Sequence, residues 1–128
     1  MRLLLDTHAL VWWLAGDEAL PARARDAIGD PANEVFVSAA STWEIATKHR
    51  VGRLPEAAFL TGDAAAIIAG QGFTELPVSL RHGQVAGSLP PLQPDPFLRA
   101  LAAQAIVSDL TVVSADTAFD AYGVARLW

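Results

Sequence analysis

The sequence has no cysteine and no long apolar run, and each absence narrows what the chain can do. Without cysteine there are no disulfides, no thiol catalysis and no Cys-ligated zinc, so any metal must be held by oxygen or histidine ligands. Oxygen ligands favour Mg²⁺ or Mn²⁺. No apolar stretch approaches the roughly 18 residues of a membrane span, and the first residues turn acidic at Asp6, unlike a signal peptide. We therefore expect a cytoplasmic protein without membrane association.

Positive charge is also scarce. The chain has nine Lys and Arg residues against 14 Asp and Glu, which gives a formal net charge of −5 at pH 7. Proteins that gain affinity by neutralising many phosphates are usually basic, so this balance counts against a nucleic-acid partner. An acid-lined metal site would be compensated by its cations, however, and one local basic cluster is formed by Lys48, His49, Arg50 and Arg53.

The length of 128 residues and the hydrophobic content of 52% predict a single domain over residues 1–128 with its own core. Hydrophobic patterning predicts strands at residues 3–5, 34–38, 73–78, 110–114 and 124–127. Helices are predicted at 8–15, 21–30, up to about 51, 55–70 and 97–107, with a helical turn or two near 79–87. This order predicts an α/β fold with a mostly parallel central sheet, flanked by helices on both faces.

Two of the predicted strands, the first and the fourth, are followed by an aspartate and a threonine. Asp6 and Thr7 follow one of them, and Asp116 and Thr117 follow the other. In α/β proteins, ligands bind outside the carboxyl ends of the strands, so acids from two distant strands can meet there. Converging carboxylates usually hold a divalent cation, which makes this pair the centre of a candidate metal site.

Each candidate acid also has a purely structural interpretation. Asp6 and Asp116 are placed to cap the helices that follow them, and Asp95 is placed to cap a helix with proline at its first position. Glu44 lies four residues before Lys48, which is the favourable orientation for an ion pair on one helix. The sequence alone does not bring these four acids into one cleft.

Five segments of the chain, in order, resemble PIN-domain ribonucleases of the VapC toxin type. They are LLDTHALVWW at 4–13, VSAASTWEIA at 37–46, DPF at 95–97, SAD at 114–116 and YGV at 122–124. The resemblance implies a three-layer α/β sandwich, an acidic Mg²⁺ or Mn²⁺ site and cleavage of RNA. It also implies a homodimer and neutralisation by a cognate VapB-type antitoxin that inserts into a hydrophobic groove.

The resemblance assigns roles to individual residues. Asp6, Glu44 and Asp116 match the family's acids and are the expected metal ligands, and Thr7 and Ser114 match the hydroxyl residues that support them. One position departs from the pattern, because Leu98 stands where relatives commonly carry the aspartate that serves as a helix-borne ligand. Asp95 lies three residues earlier on the same predicted helix face, and a water could bridge the distance of about one turn. Asp95 is therefore included among the catalytic candidates.

These features lead to one principal hypothesis, a Mg²⁺-dependent endoribonuclease toxin whose activity is reduced by Leu98. Lys48 or Arg99 would hold the substrate phosphate. The alternative is a catalytically inactive PIN module that retains antitoxin or RNA binding. A haloacid-dehalogenase-type phosphatase would need an aspartate in place of His8, and a response-regulator receiver would need an adjacent acid pair that the chain lacks.

The tryptophans have apolar neighbours in the sequence, so we expect them to form core or dimer contacts rather than platforms for nucleobases. This expectation covers Trp12, Trp13 and Trp43. His8 is expected to be packed or hydrogen-bonded rather than a metal ligand.

Overall fold

Five parallel strands form the central sheet of the computed structural model, which describes residues 1–128. Their order in the sheet is β3-β2-β1-β4-β5, and every neighbouring pair is parallel. The predicted α/β class with a mostly parallel sheet is therefore confirmed. The strands are β1 Arg2–Leu5, β2 Glu34–Ser38, β3 Thr74–Leu76, β4 Thr111–Val113 and β5 Arg126–Leu127.

Six α-helices and two 3₁₀ helices connect these strands. The longest, α6, has 13 residues, and no helix combines the length and apolar character that a bilayer crossing requires. The α-helices are α1 Thr7–Ala15, α2 Ala22–Gly29, α3 Ala39–Arg50, α4 Ala64–Gly70, α5 Leu80–Ser88 and α6 Pro96–Ser108, and the 3₁₀ helices are Pro55–Leu60 and Thr117–Tyr122.

Two helical predictions were wrong in detail. The single helix predicted at 55–70 is broken, because Asp63 accepts a hydrogen bond from the backbone N–H of Ala66 and starts α4 as a separate element. The turn or two predicted at 79–87 is the full helix α5. Its start is fixed by a capping box in which Ser79 and His82 exchange side-chain and backbone hydrogen bonds.

The alternation of β1 divides the core into two layers. Leu3 and Leu5 pack on one face of the sheet with buried residues of α1, α2 and α4. Leu4 packs on the other face with Leu98 and Leu101 of α6. Burial of each leucine contributes about 1.5–3 kcal/mol, so the central strand stabilises both layers. Helices therefore cover both faces, as a three-layer sandwich requires.

The strand order reverses direction at β1. The chain passes from β1 to β2 and β3 on one side and returns to β4 and β5 on the other. Leu5 and Val113 are paired in register, and the N–H of Asp6 donates to the carbonyl of Val113 at 3.1 Å. The crevice outside such a reversal is the preferred ligand position in open α/β sheets. Asp6 and Asp116 follow the ends of β1 and β4 and lie at this crevice.

Candidate active site

A polar cavity of about 120 Å³ lies in this crevice and gathers most of the predicted functional residues. Six of the eight line it: Asp6, Thr7, Glu44, Lys48, Asp95 and Asp116. Ser114 is fully buried behind them, and Arg99 lies elsewhere. The residues come from the end of β1, from α1 and α3, from the start of α6 and from the segment after β4, so the fold assembles them from distant parts of the chain.

Three of the acids are helix caps as well as cavity residues. Oδ1 of Asp6 accepts from the N–H of Ala9 at 2.8 Å, and Oδ1 of Asp116 accepts from the N–H of Ala118 at 2.9 Å. Asp95 caps α6 in the same way through the N–H of Phe97 at 2.9 Å. The structural and functional interpretations therefore coexist, because each cap uses one carboxylate oxygen and does not need the second.

Ser114 connects the two acids at the strand ends. Its Oγ accepts from the N–H of Asp116 at 2.9 Å, and its side chain also hydrogen-bonds the carboxyl group of Asp6. Burial raises the pKa of Asp6 above its ordinary value of 3.8, although the hydrogen bonds from Ser114 and the Ala9 N–H oppose this shift. A desolvated carboxylate of this kind would be stabilised by a bound cation.

Glu44 is in a different state, because both of its carboxylate oxygens are already engaged. The hydroxyl of Thr7 donates to Oε1 at 2.5 Å, and Nζ of Lys48 donates to Oε2. Glu44 is buried, and only 26% of the Lys48 side chain is exposed. The ion pair expected from the i,i+4 spacing is therefore present inside the cavity.

Leu98 presents an apolar wall to the cavity at the position where the family resemblance predicts an acid. It is buried and belongs to the hydrophobic layer beneath α6, together with Leu101 and Phe119, and all three line the cavity. No three acidic or histidine side chains converge closely enough to enclose one cation. Mg²⁺ usually keeps several waters and binds through one or two carboxylates plus substrate phosphate. Asp6 and Asp116 therefore fit a cation held in that open manner.

Arg99 has a structural use that speaks against the predicted phosphate contact. Its Nη2 donates to the carbonyls of Ala86 at 2.7 Å and Leu89 at 2.8 Å, and its Nη1 donates to the carbonyl of Pro90 at 3.0 Å. These bonds fasten the loop between α5 and α6. Of the two cations predicted to hold phosphate, only Lys48 lies in the cavity.

Two residues that line the cavity were not predicted, and one half of the expectation for Trp43 is wrong. Leu101 and Phe119 line the cavity and were not among the predicted residues, although the i,i+3 spacing of Leu98 and Leu101 places both on one face of α6. Trp43 is not in the core, because it is 65% exposed and packs edge-on against Phe97, with ring centroids 5.0 Å apart, while a dimer contact at Trp43 stays a prediction.

The doubly wound parallel sheet, with acids where the strand order reverses, is typical of α/β proteins that bind ligands at this crevice. Comparison with known families identifies the family. The family model of the PIN domain matches residues 3–125. The chain therefore belongs to the PIN domain family. Among curated proteins there is no significant match.

Solved structures share the fold at low sequence identity. VapBC2 from Rickettsia felis, bound to a DNA fragment from its promoter, has a chain with 13% identity and a TM-score of 0.63, and the match covers 99% of this chain and 98% of that one. For FitAcB from Neisseria gonorrhoeae the identity is 21%, the TM-score 0.56 and the coverage 98% and 96%. For FitAB bound to an IR36 DNA fragment, the identity is 19% and the TM-score is 0.58, and the match covers 98% of this chain and 93% of that one.

Proposed function

We propose that this protein is a metal-dependent endoribonuclease that acts as the toxin of a toxin–antitoxin pair. PIN domains are generally nucleases, and the solved relatives are chains of VapBC and FitAB assemblies. The observation that carries the proposal is the shared position of Asp6 and Asp116. Their carboxylates face one cavity at the strand-order reversal, where oxygen ligands suit Mg²⁺ or Mn²⁺, and Ser114 contacts the carboxyl group of Asp6 and the backbone N–H of Asp116.

Asp6 and Asp116 would be the direct ligands of the cation. Once bound there, Mg²⁺ or Mn²⁺ would withdraw charge from the scissile phosphodiester and make an attacking water more acidic. Glu44 would complete the acidic wall, since Thr7 holds one of its oxygens in place. Ser114 would keep Asp6 and Asp116 in a fixed relative orientation, because groups that hydrogen-bond to metal ligands usually orient them.

Lys48 would hold the substrate phosphate. An ammonium group has three N–H donors, so it can keep its bond to Glu44 and still donate to a phosphate oxygen. Asp95 has one oxygen that the α6 cap does not use, and we propose that it acts through a bridging water. This arrangement supplies part of what the missing acid at Leu98 would have provided.

The proposed partners follow from the same assignment. A cognate VapB-type antitoxin would cover the toxin, the RNA substrate would enter the acidic cavity, and two copies of the chain would form a homodimer. We place this system in the cytoplasm. The antitoxin is supported by the VapBC and FitAB relatives, whose solved structures are complexes.

Cleavage of RNA by the purified, antitoxin-free protein tests the proposal. The native chain should cut RNA in Mg²⁺ or Mn²⁺, EDTA should stop it, and Asp6→Asn should reduce the rate by more than about 100-fold, the upper end for changes in outer-sphere partners. Asp63→Asn is the matched control, because Asp63 also caps a helix through Oδ1 but lies outside the cavity. Equal cleavage by Asp6→Asn and the native chain would refute the metal assignment.

One observation favours a second candidate function. Leu98 gives the cavity an apolar wall, and Lys48 already neutralises Glu44, so a module that binds antitoxin or RNA without cutting is the alternative. The same assay separates the two. A native chain that is inert, beside a Leu98→Asp variant that cuts, would identify a binding module that has lost one ligand.

A further inference from the structure

A second cavity adjoins the acidic one and has aromatic walls. Its volume is about 190 Å³, and Asp6 and Asp116 line both cavities. Trp12 of α1 and Trp128 after β5 form its walls, with ring centroids 5.9 Å apart and planes inclined by 46°. The exposed His8 ring lies 5.4 Å from Trp12 on the same side.

We propose that this aromatic cavity is a nucleobase subsite, which binds the base of a nucleotide whose phosphate lies at Asp6 and Asp116. The proposal rests on the proposed nuclease function and adds the residues that would position single-stranded RNA. It reverses the expectation for Trp12, which sequence context assigned to the core or a dimer contact.

The geometry of the two tryptophans suits stacking. Both are only partly buried and pack against the hydrophobic layer beneath α1, so their rings are held in place while part of each remains accessible. The inclined planes do not close on each other, and the cavity occupies the space beside them. Fixed aromatic faces of this kind bind unstacked bases of single strands with little sequence preference.

The charges of the cavity favour a base over a phosphate. Its walls contain the carboxylates of Asp6 and Asp116 and no lysine or arginine, so a phosphate inside it would lie against carboxylates with no basic side chain to bind it. A neutral base avoids this repulsion. A guanidinium group would suit free carboxylates, but the proposed cation would already occupy Asp6 and Asp116, which favours the neutral guest.

The shared carboxylates place base and phosphate within one nucleotide of each other. A base stacked on these rings, in the space beside them, would leave its sugar and phosphate at the boundary of the two cavities, next to the proposed cation and Lys48. The aromatic cavity would thus set the register of the strand relative to the acids.

The indole N–H signals of the four tryptophans provide a direct test by NMR. In Mg²⁺, nucleoside 5′-monophosphates should move the signals of Trp12 and Trp128 but leave those of Trp13 and Trp43 in place. Ribose 5-phosphate, which has no base, should move neither pair. Equal shifts with ribose 5-phosphate, no shifts, or larger shifts with an arginine amide would overturn the assignment.

Substitutions sharpen the test. Trp128→Ala should weaken nucleotide binding by about tenfold, as expected for the loss of one stacking partner, and Trp128→Phe should retain much of it. Trp43→Ala is the matched control, because Trp43 is exposed but lines neither cavity, and it should bind as the native chain does. Equal weakening by Trp128→Ala and Trp43→Ala would refute the subsite.

The outcomes distinguish the subsite from the nuclease. If the protein binds monophosphates at Trp12 and Trp128 but cuts no RNA, the subsite stands and the catalytic proposal fails. If it cuts RNA while Trp128→Ala changes neither binding nor cleavage, the catalytic proposal stands and the subsite fails.

Discussion

The two sides of the acidic cavity are built differently. On the strand side, Asp6 and Asp116 are joined through Ser114, and each has a carboxylate oxygen that its helix cap does not require. On the helix side, Glu44 is neutralised by Lys48, and Leu98 presents a buried apolar surface. Both carboxylates of the strand side are therefore free of a cationic partner, whereas on the helix side only Asp95 is.

The two sides suit two different requirements of the proposed metal nuclease. Holding a cation needs oxygen atoms that the fold has not already paired, and the strand ends provide them. Holding a phosphate needs a positive group at a fixed place, and the helix side provides Lys48 on a carboxylate that keeps it in position. We therefore expect the absence of an acid at Leu98 to affect the strength of the proposed cation binding more than the architecture of the cavity.

The largest expected effect is a loss of Mn²⁺ affinity that differs between variants on the two sides of the cavity. Asp116→Asn retains the helix cap, since Asn and Asp cap equally well, but removes a proposed ligand, and it should weaken Mn²⁺ binding by more than about tenfold. Glu44→Gln should change that affinity far less, because both oxygens of Glu44 are already engaged. Calorimetric titration with Mn²⁺ measures both, and equal losses would show that the two sides contribute alike.

The next effect concerns Leu98. Leu98→Asp places a carboxylate in a buried apolar layer and should lower the free energy of unfolding by about 2–4 kcal/mol in the absence of metal. Added Mn²⁺ should restore part of this loss, because binding to the folded state stabilises it. Leu98→Asn is the control without charge. Denaturant unfolding that shows equal restoration in both variants would argue against a ligand at this position.

A smaller effect is expected when the ion pair on the helix side is broken. Lys48→Met leaves one oxygen of the buried Glu44 without its donor and should cost about 1–3 kcal/mol of unfolding free energy. The double variant with Glu44→Gln should recover much of the loss, since the unpaired charge is then gone. A double-mutant cycle by chemical denaturation measures this coupling, and strictly additive losses would show that the pair is not coupled.

The smallest effect is a pH dependence at Asp6 in the metal-free protein. Because burial raises its pKa in the folded state above 3.8, its contribution to stability is full below that value and is lost as pH rises through the folded-state pKa. Asp6→Asn does not titrate, so its stability relative to the native chain should increase from about pH 4 to about pH 7. A trend of opposite sign would refute the effect of burial.

The sequence was most informative where local rules and topology agreed. The strand at Glu34–Ser38 has the predicted bounds, and the alternation of helices and strands predicted the parallel sheet. Strand-end position alone suggested that Asp6 and Asp116 would meet, because parallel strands present their carboxyl ends at one edge. Helix spacing alone suggested the bond between Lys48 and Glu44.

The features that escaped prediction depend on contacts between distant segments. The carbonyl acceptors of Arg99 lie 6 to 13 residues earlier in the chain, at the end of α5 and in the loop after it, whose shape no local pattern specifies. Trp43 has apolar neighbours in sequence, but the rotation of α3 turns it outward. The break before α4 was hidden by an alanine-rich composition that favours helix on either side of Asp63.

The fastening of the loop between α5 and α6 has a mechanical consequence. Arg99 ties this loop to the first turn of α6, and Tyr122 donates to the carbonyl of Pro90 at 3.0 Å while accepting from the backbone N–H of Gln93 at 3.1 Å. Tyr122 ends the 3₁₀ helix that Asp116 begins. The loop therefore links α6, which Asp95 caps, to the 3₁₀ helix Thr117–Tyr122, which Asp116 caps. Loosening it would let two walls of the acidic cavity move apart, although neither Arg99 nor Tyr122 lines that cavity.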